Sequence, residues 1–506
     1  MTDETERESI FARTTRGAGW MVAWRAATRF LGLISTLILV RLLATSDFGL
    51  VALAMSCVLI IDAVAFIGVE DSLVREKEPS RAMLDTAFTL NVIRASVSAL
   101  AVAVLAEPAS VFLDEPALTP LILVLAVTTA TDGFSNIGTV AFRRTMAFEK
   151  EFQLQIVPRL AAVLVTLILA AIFRTYWALI AGIVLQRVLR VAFSYAMHPY
   201  RPRFSLSAWR DLAGFSAWAW AIMLAVQLRE RSENIVIGRM LDASQVGLYE
   251  AGKEIALLPT SEVIQPACHA IYSGFAQSRN AGGDPGQACL RAIAILSLLS
   301  LPAGFGLSSI AAPLVRLALG SNWLDSIPVI QAFGIAGAVT GFGTVCSTLL
   351  RAHGLMRLSF RTTIVATPAR IAALLFLIPL GGLQAAAAGI AAITIMGRFG
   401  TLFITFRHFK IRFADLTRRV WLSVIAVCVM IGILWWSGLG WNNTAPESAS
   451  ACVAELAAAI AVASAAYVSL VLALWVFSGR PAGAETDAID LAGKALSRIS
   501  GRFQRG

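Results

Sequence analysis

The sequence predicts an all-α polytopic membrane protein with about 14 transmembrane helices. Three observations predict it. The 506-residue chain is 57% hydrophobic and only 15% charged, with a mean hydropathy of +0.73; soluble domains carry about 25% charged residues. Apolar runs of roughly 18 residues or more recur from end to end, each long enough to cross about 30 Å of hydrocarbon. Lys and Arg alternate between successive connections, sparse on one side and rich on the other, as the positive-inside rule requires of a true succession of spans.

Residues 1–17 form a polar segment of mixed charge with one apolar patch at Ile10-Phe11. The first apolar run, Ala18 to Val40, contains Arg25 and Arg29 and has no small-residue cleavage site after it. It therefore reads as a retained helix and not as a signal peptide. Spans follow near 48–69, 84–106, 117–141, 153–173, 176–196, 211–238, 246–273, 288–310, 326–350, 359–380, 383–405, 419–438 and 451–477. Residues 479–506 form a polar tail. No connection exceeds about fifteen residues, which leaves no soluble domain with its own core.

The odd-numbered connections carry single arginines or none, for example Arg41, Arg174, Arg239 and Arg316. The even-numbered ones carry more: Arg75, Lys77 and Arg81; Arg143, Arg144 and Lys150; Arg201, Arg203 and Arg210; Arg279; Arg351 and Arg357; Arg407 through Arg419. A missed helix would invert this pattern downstream, and it does not invert. The expected topology puts both termini in the cytoplasm. The net charge of +10 thus reports orientation, and no nucleic-acid partner is expected. The six cysteines are scattered without CxxC spacing and read as packing residues.

One turn occurs twice. Arg41-Leu-Leu-Ala-Thr-Ser-Asp-Phe-Gly-Leu50 returns as Arg239-Met-Leu-Asp-Ala-Ser-Gln-Val-Gly-Leu248, and the same offset places Trp20 on Trp218. A repeat of roughly 200 residues is too long for a solenoid unit and suggests two homologous halves. Six helices per half is an even number, so the halves are parallel repeats: residues 18–196 and 211–405. The helices within 419–477 fall outside the repeat and look like an appendage. In the tail, Ile489, Leu496, Ile499 and Phe503 recur at helical spacing with Lys494, Arg498 and Arg502 between them. That fits either a basic helix on an anionic leaflet or a solvated end.

Ionisable groups inside spans are costly and face a polar cavity or a partner. The cationic candidates for substrate binding are Arg25, Arg29, Arg94, Arg159, Arg231, Lys253, Arg370 and Arg398. The candidates for a coupling ion are Asp62, Glu230, Glu233 and Glu254. Arginines outnumber carboxylates, so a shared cavity would favour an anionic substrate, and Arg forks suit phosphate oxygens. Arg229 and Glu233 are spaced i, i+4 and either pair within their helix or serve the cavity. Arg187 and Arg190 are expected to snorkel to the cytoplasmic surface.

No covalent chemistry is indicated. Gly247-Leu-Tyr-Glu-Ala-Gly252-Lys253 has P-loop spacing, but Glu254 stands where a Ser or Thr would hold magnesium and no strand precedes it. The four histidines form no HExxH pair and no GxSxG elbow occurs. No catalytic residue, metal site or cofactor is expected.

The repeated turn, the Phe142-Arg-Arg-Thr-Met-Ala-Phe148 segment and the Asn234-Ile-Val-Ile-Gly238 end of the seventh span resemble bacterial polysaccharide exporters. Gly247-Leu-Tyr249, Leu258-Pro259 and Pro266 extend the likeness across helices one to ten. These are Wzx-type flippases of the multidrug/oligosaccharidyl-lipid/polysaccharide (MOP) exporter superfamily. The resemblance implies two six-helix lobes in a V shape, as in MATE transporters, with two extra C-terminal helices. It implies an undecaprenyl-diphosphate-linked oligosaccharide as substrate, turned over by alternating access across the bacterial inner membrane for exopolysaccharide, capsule or O-antigen synthesis. Membrane lipids and polysaccharide polymerase or export machinery would be its partners. The competing expectations are a MATE-like drug or cation antiporter, which would need a carboxylate-dominated pocket, and a lipid II-type flippase. A membrane enzyme is disfavoured, because the longest outer connection, near 438–450, is short and carries only Glu447.

Overall fold

Caps and left-handed residues set where the helices stop. The computed structural model describes residues 27–28, 30–76, 78–145, 147–212, 217–280, 282–442, 446–479 and 486, and no strand occurs among them. Ser80 accepts from the Met83 amide, Asp284 from Gly286 and Ser448 from Ala451, each at the start of a long helix. Asp114, Arg174 and Lys410 end helices at φ 57°, 49° and 56°, the left-handed geometry that satisfies the last carbonyls.

The chain divides into two compact units, Met1–Gly247 and Leu248–Gly506. In the first, α1 (Phe30–Leu42) precedes α2 (Thr45–Val64), α3 (Val69–Arg75), α4 (Arg81–Leu113), α5 (Leu118–Asp132) and α6 (Val140–Arg144). Then come α7 (Phe148–Phe173), α8 (Trp177–Met197), α9 (Trp209–Leu212) and α10 (Ala217–Met240). Here α4 packs on α5, α7 on α8, and α2 on both α5 and α10. The α2–α10 pair is antiparallel. Trp220 Nε1 donates to the Val64 carbonyl at 3.1 Å, Asn234 Nδ2 to Ser56 Oγ at 3.0 Å, and Gly238 lies against Leu53.

That pairing brings the two copies of the repeated turn together. A Cβ at Gly49 would lie 1.6 Å from the Ala243 carbonyl oxygen, and one at Gly247 would lie 2.1 Å from that of Thr45. The contact is reciprocal at equivalent positions of the repeat, and Thr45 Oγ1 hydrogen-bonds Ser244 Oγ beside it.

α11 (Ala243–Asn280) leads into the second unit, followed by α12 (Pro285–Ser309), α13 (Ala311–Ala318), α14 (Ile327–Ala338) and α15 (Thr340–Ala352). α16 (Met356–Phe409), α17 (Phe413–Trp436) and α18 (Ala449–Phe477) complete it. The core joins Leu290 and Ile293 of α12, Cys346 and Leu349 of α15 and Val427 and Met430 of α17. The expected appendage is therefore built in. Tyr467 donates to the Leu298 carbonyl at 2.8 Å, and Trp441 Nε1 to Ser308 Oγ at 3.0 Å.

Among the described residues, eight helices are long and apolar enough to cross a membrane, or ten if each of two bent pairs is one span. The spans expected at 117–141 and 326–350 are those pairs, bent by 66° and 47°. The first breaks at Gly133, where a Cβ would meet Ala95 at 2.5 Å, and at Asn136, whose side chain caps the short turn that follows. The second breaks next to Ala338, whose carbonyl is taken by Ser300 Oγ and whose amide lies against Gly304. α16 counts once among the eight, yet Gly381 and Gly382 leave helical geometry within it. Gly389 meets Leu377 across that break, so its arms, 356–380 and 383–409, fold back on each other. The expected separation at 381–382 is where the backbone turns.

Candidate functional site

Charges within the first unit converge where α2, α4, α5 and α8 pack. Asp62 of α2 lies within electrostatic reach of Arg94, Arg187 and Asp132, with Ser98 beside it. Arg94 Nε and Nη2 both donate to Asn91 Oδ1, at 3.2 and 3.1 Å, one helical turn back on α4. Asn91 in turn donates to the Gly133 carbonyl at 3.4 Å, at the break after α5. Arg187 Nη1 meets Asp132 Oδ2 at 2.9 Å, with the two side chains 17% and 26% exposed. The snorkelling expected of Arg187 is thus replaced by a shielded ion pair.

Sequence reasoning missed Asp132. Its signal was present, an acid inside an apolar run, but only the break after α5 turns it toward Arg187. Two arginines and two aspartates here sum to zero formal charge, so this cluster is locally balanced and not cationic. Asp62 Oδ1 and Asp132 Oδ1 are buried without a hydrogen-bond partner. A buried polar atom left so is costly and marks a place to accept a proton or a ligand donor.

A small polar cavity of about 40 Å³ adjoins this cluster through Asn91, and Ser135, Arg143, Glu151 and Arg190 also line it. Arg143 bridges Glu151 at 3.1 Å and Glu70 at 3.4 Å. The floor is held by the connection after α8. Asn136 Nδ2 donates to the His198 and Tyr200 carbonyls, while Tyr200 and the Arg203 amide both donate to Asp85 Oδ1. Burial, reinforced by the cations Lys150 and Arg201, pushes the His198 imidazole below its usual range. Burial and the bond to Asp85 push the Tyr200 phenol up.

The remaining candidates scatter. On α10, Arg229 Nη2 pairs with its neighbour Glu230 at 3.3 Å, while Glu233 and Asn234 are fully buried. Arg231 is half-buried on the same helix. Arg159 of α7 reaches α1, where a Cβ on Gly32 would lie 2.9 Å from its Nη2. In the second unit, the Lys253 ammonium sits over the Tyr249 and Phe333 rings at 5.2 and 5.8 Å, a cation–π arrangement. Glu254 beside it is exposed. Arg370, 9% exposed, donates across the α16 turn to Thr394 Oγ1. Arg398 packs on Gly343, where a Cβ would lie 2.6 Å from its Cδ. Arg25, Arg29, Trp20 and the tail residues Lys494, Arg498 and Arg502 lie outside the described residues. Of the sequence candidates, then, the structure brings together Asp62 and Arg94, and adds Asp132 and Arg187 to them.

Comparison with known proteins sets this arrangement in context. The family described as "Polysaccharide biosynthesis protein" matches residues 38–328. The chain is 26% identical over 346 residues to the succinoglycan biosynthesis transport protein ExoT of Rhizobium meliloti (strain 1021), covering 68% of this chain and 69% of that protein. It is 25% identical over 390 residues to the lipopolysaccharide biosynthesis protein WzxC of Escherichia coli (strain K12), covering 76% and 78%. Among solved structures, the lipid II flippase MurJ in an inward closed conformation aligns with a TM-score of 0.72 at 12% identity, over 91% of this chain and all of that one. An inward-facing multidrug resistance MATE family transporter of the MOP superfamily aligns with a TM-score of 0.59 at 14% identity, over 75% and 94%. At such identities the likeness is one of fold.

Proposed function

Since this chain belongs to the polysaccharide biosynthesis protein family, we propose that it translocates undecaprenyl-diphosphate-linked oligosaccharide units across the bacterial inner membrane by alternating access. Both termini would lie in the cytoplasm, and the lipid-linked unit would arrive from the cytoplasmic leaflet. The observation that carries this reading is Arg94, an arginine well inside an apolar helix whose guanidinium is oriented by Asn91. A fixed guanidinium inside a membrane protein is suited to phosphate oxygens, because its donors are already aimed when the anion arrives. The relatives named for succinoglycan transport and lipopolysaccharide biosynthesis support a glycan cargo. The work is binding and release, with no bond made or broken, and Asp62 is the coupling candidate that the charge cluster favours.

The test is a lipid extraction from cells lacking the protein. We expect an undecaprenyl-diphosphate oligosaccharide to accumulate, shielded from reagents added outside. Complementation by Arg94→Ala or Arg29→Ala should fail although each variant is folded and inserted. Normal export from both would overturn the role of these arginines in holding the phosphate. The second reading, a drug or cation antiporter, is favoured by the two carboxylates Asp62 and Asp132, which lie within electrostatic reach of each other. Drug sensitivity with no lipid-linked sugar accumulating would select it.

A further inference from the structure

A broad apolar groove of about 760 Å³ opens on the first unit, and its inner end approaches the charge cluster at Arg187. Helix α8 is its floor; Val124 of α5 and Leu169 and Phe173 of α7 form its walls. The groove exists because α7 and α8 close tightly on one side. A Cβ at Gly182 would lie 1.8 Å from Thr166 Oγ1, so only glycine permits that approach. α5 packs on α8 from another side, and the strip of α8 between the walls stays open. Small Ala178 and Ala181 deepen it near its start.

Its ends differ in chemistry. One end lies at Phe173, Thr175 and Trp177, around the α7–α8 turn. Trp177 contacts Tyr176 with ring centroids 5.5 Å apart, as aromatic residues do at a membrane–water interface. Exposed Arg174 stands between Phe173 and Thr175, both lining residues, and no carboxylate lines the groove. The other end stops at Val188, beside Arg187 and Arg190. At about 1.5 Å per residue, Trp177 to Val188 spans about 16 Å, close to half of the roughly 30 Å hydrocarbon core.

We propose that this groove is a phospholipid site that holds one acyl chain of an anionic glycerophospholipid, with the lipid phosphate on Arg174. The groove is one leaflet deep, and Arg174 stands at its interfacial end, where a phosphate would be, while Arg187 at the inner end is already paired with Asp132. A polyprenyl chain longer than one leaflet would be driven past Val188 into charged residues. The site is independent of the transported cargo and would set which lipids the first unit carries.

The test uses the purified full-length chain, stripped of lipid in detergent and titrated with phosphatidylglycerol under native mass spectrometry. Wild type should retain a tight lipid adduct. Arg174→Gln should weaken it about five-fold, the worth of one interfacial cation. Ala181→Trp should abolish it by filling the floor. Leu100→Trp, at a 67% exposed position of α4, should leave it unchanged. If Ala181→Trp is not monodisperse, Val188→Trp at the 44% exposed rim takes its place. Equal adducts in all variants would mean annular lipid only and overturn the proposal. Displacement of phosphatidylglycerol by equimolar undecaprenyl phosphate, lost in Ala181→Trp, would overturn it too and assign the groove to the carrier lipid.

Discussion

Replacing a hydrogen by a methyl at position 49 is the smallest change this chain would feel strongly. The Cβ would be driven 1.6 Å from the Ala243 carbonyl oxygen, a backbone atom that cannot rotate away. Gly49→Ala should therefore lower the unfolding midpoint in detergent, by a cost of about 1–3 kcal/mol typical of overpacking. Gly247→Ala should behave alike. Gly306→Ala, with nothing within 4 Å of its Cβ, should be neutral or slightly stabilising. Equal midpoints for Gly49→Ala and Gly306→Ala would dismiss the reciprocal contact. The glycines were legible as a repeated pattern, but their reason was not, since a sequence match does not reveal that the two copies touch. Asp132 and Arg187 show the same limit: each was a charge in an apolar run, and only folding made them partners.

Among the elements, the connection after α8 behaves as a strap. Its Ser205 and Ala208 amides donate to Thr89 and Thr86 of α4, and the Tyr200 amide donates to His198 Nδ1 at 3.2 Å. Only a neutral imidazole can accept that bond. Because the folded state holds the His198 pKa below its ordinary 6.5, the unfolded state binds the proton first. The contribution is thus present above about pH 6.5 and lost as pH falls through the depressed folded value. Cleavage of the strap by trypsin after Arg203, since Pro202 blocks cleavage after Arg201, should accelerate on acidification towards pH 5.5. His198→Gln should flatten that profile; an unchanged profile in the variant would remove His198 from the account. The helices themselves were readable because apolar length reports a span directly. The breaks at Gly133–Asn136 and beside Ala338 were not, because hydropathy runs straight through them and the cause is a neighbouring helix.

For the whole molecule, the alternation of Lys and Arg makes a topology prediction. With the native cysteines replaced, cysteines introduced at Thr175 and Asn442 should react with an impermeant thiol reagent added outside intact cells. Those at Ser205 and Arg357 should react only after permeabilisation. The opposite labelling would invert the orientation on which the direction of transport rests. By itself the sequence determined the helical membrane class, the repeat and the polysaccharide-exporter resemblance, because each is written in local composition or in residue order. It also pointed to Arg94 and Asp62, since a charge in an apolar run is conspicuous wherever it packs. The tertiary structure alone decided that Asp62 and Arg94 share a cluster with Asp132 and Arg187, and that the last two helices belong to a core. It also decided that α5, α7 and α8 leave a groove. Those facts depend on which helix faces touch, and in an apolar chain nearly every face is greasy enough to face either lipid or a neighbour, so hydropathy carries no record of the choice.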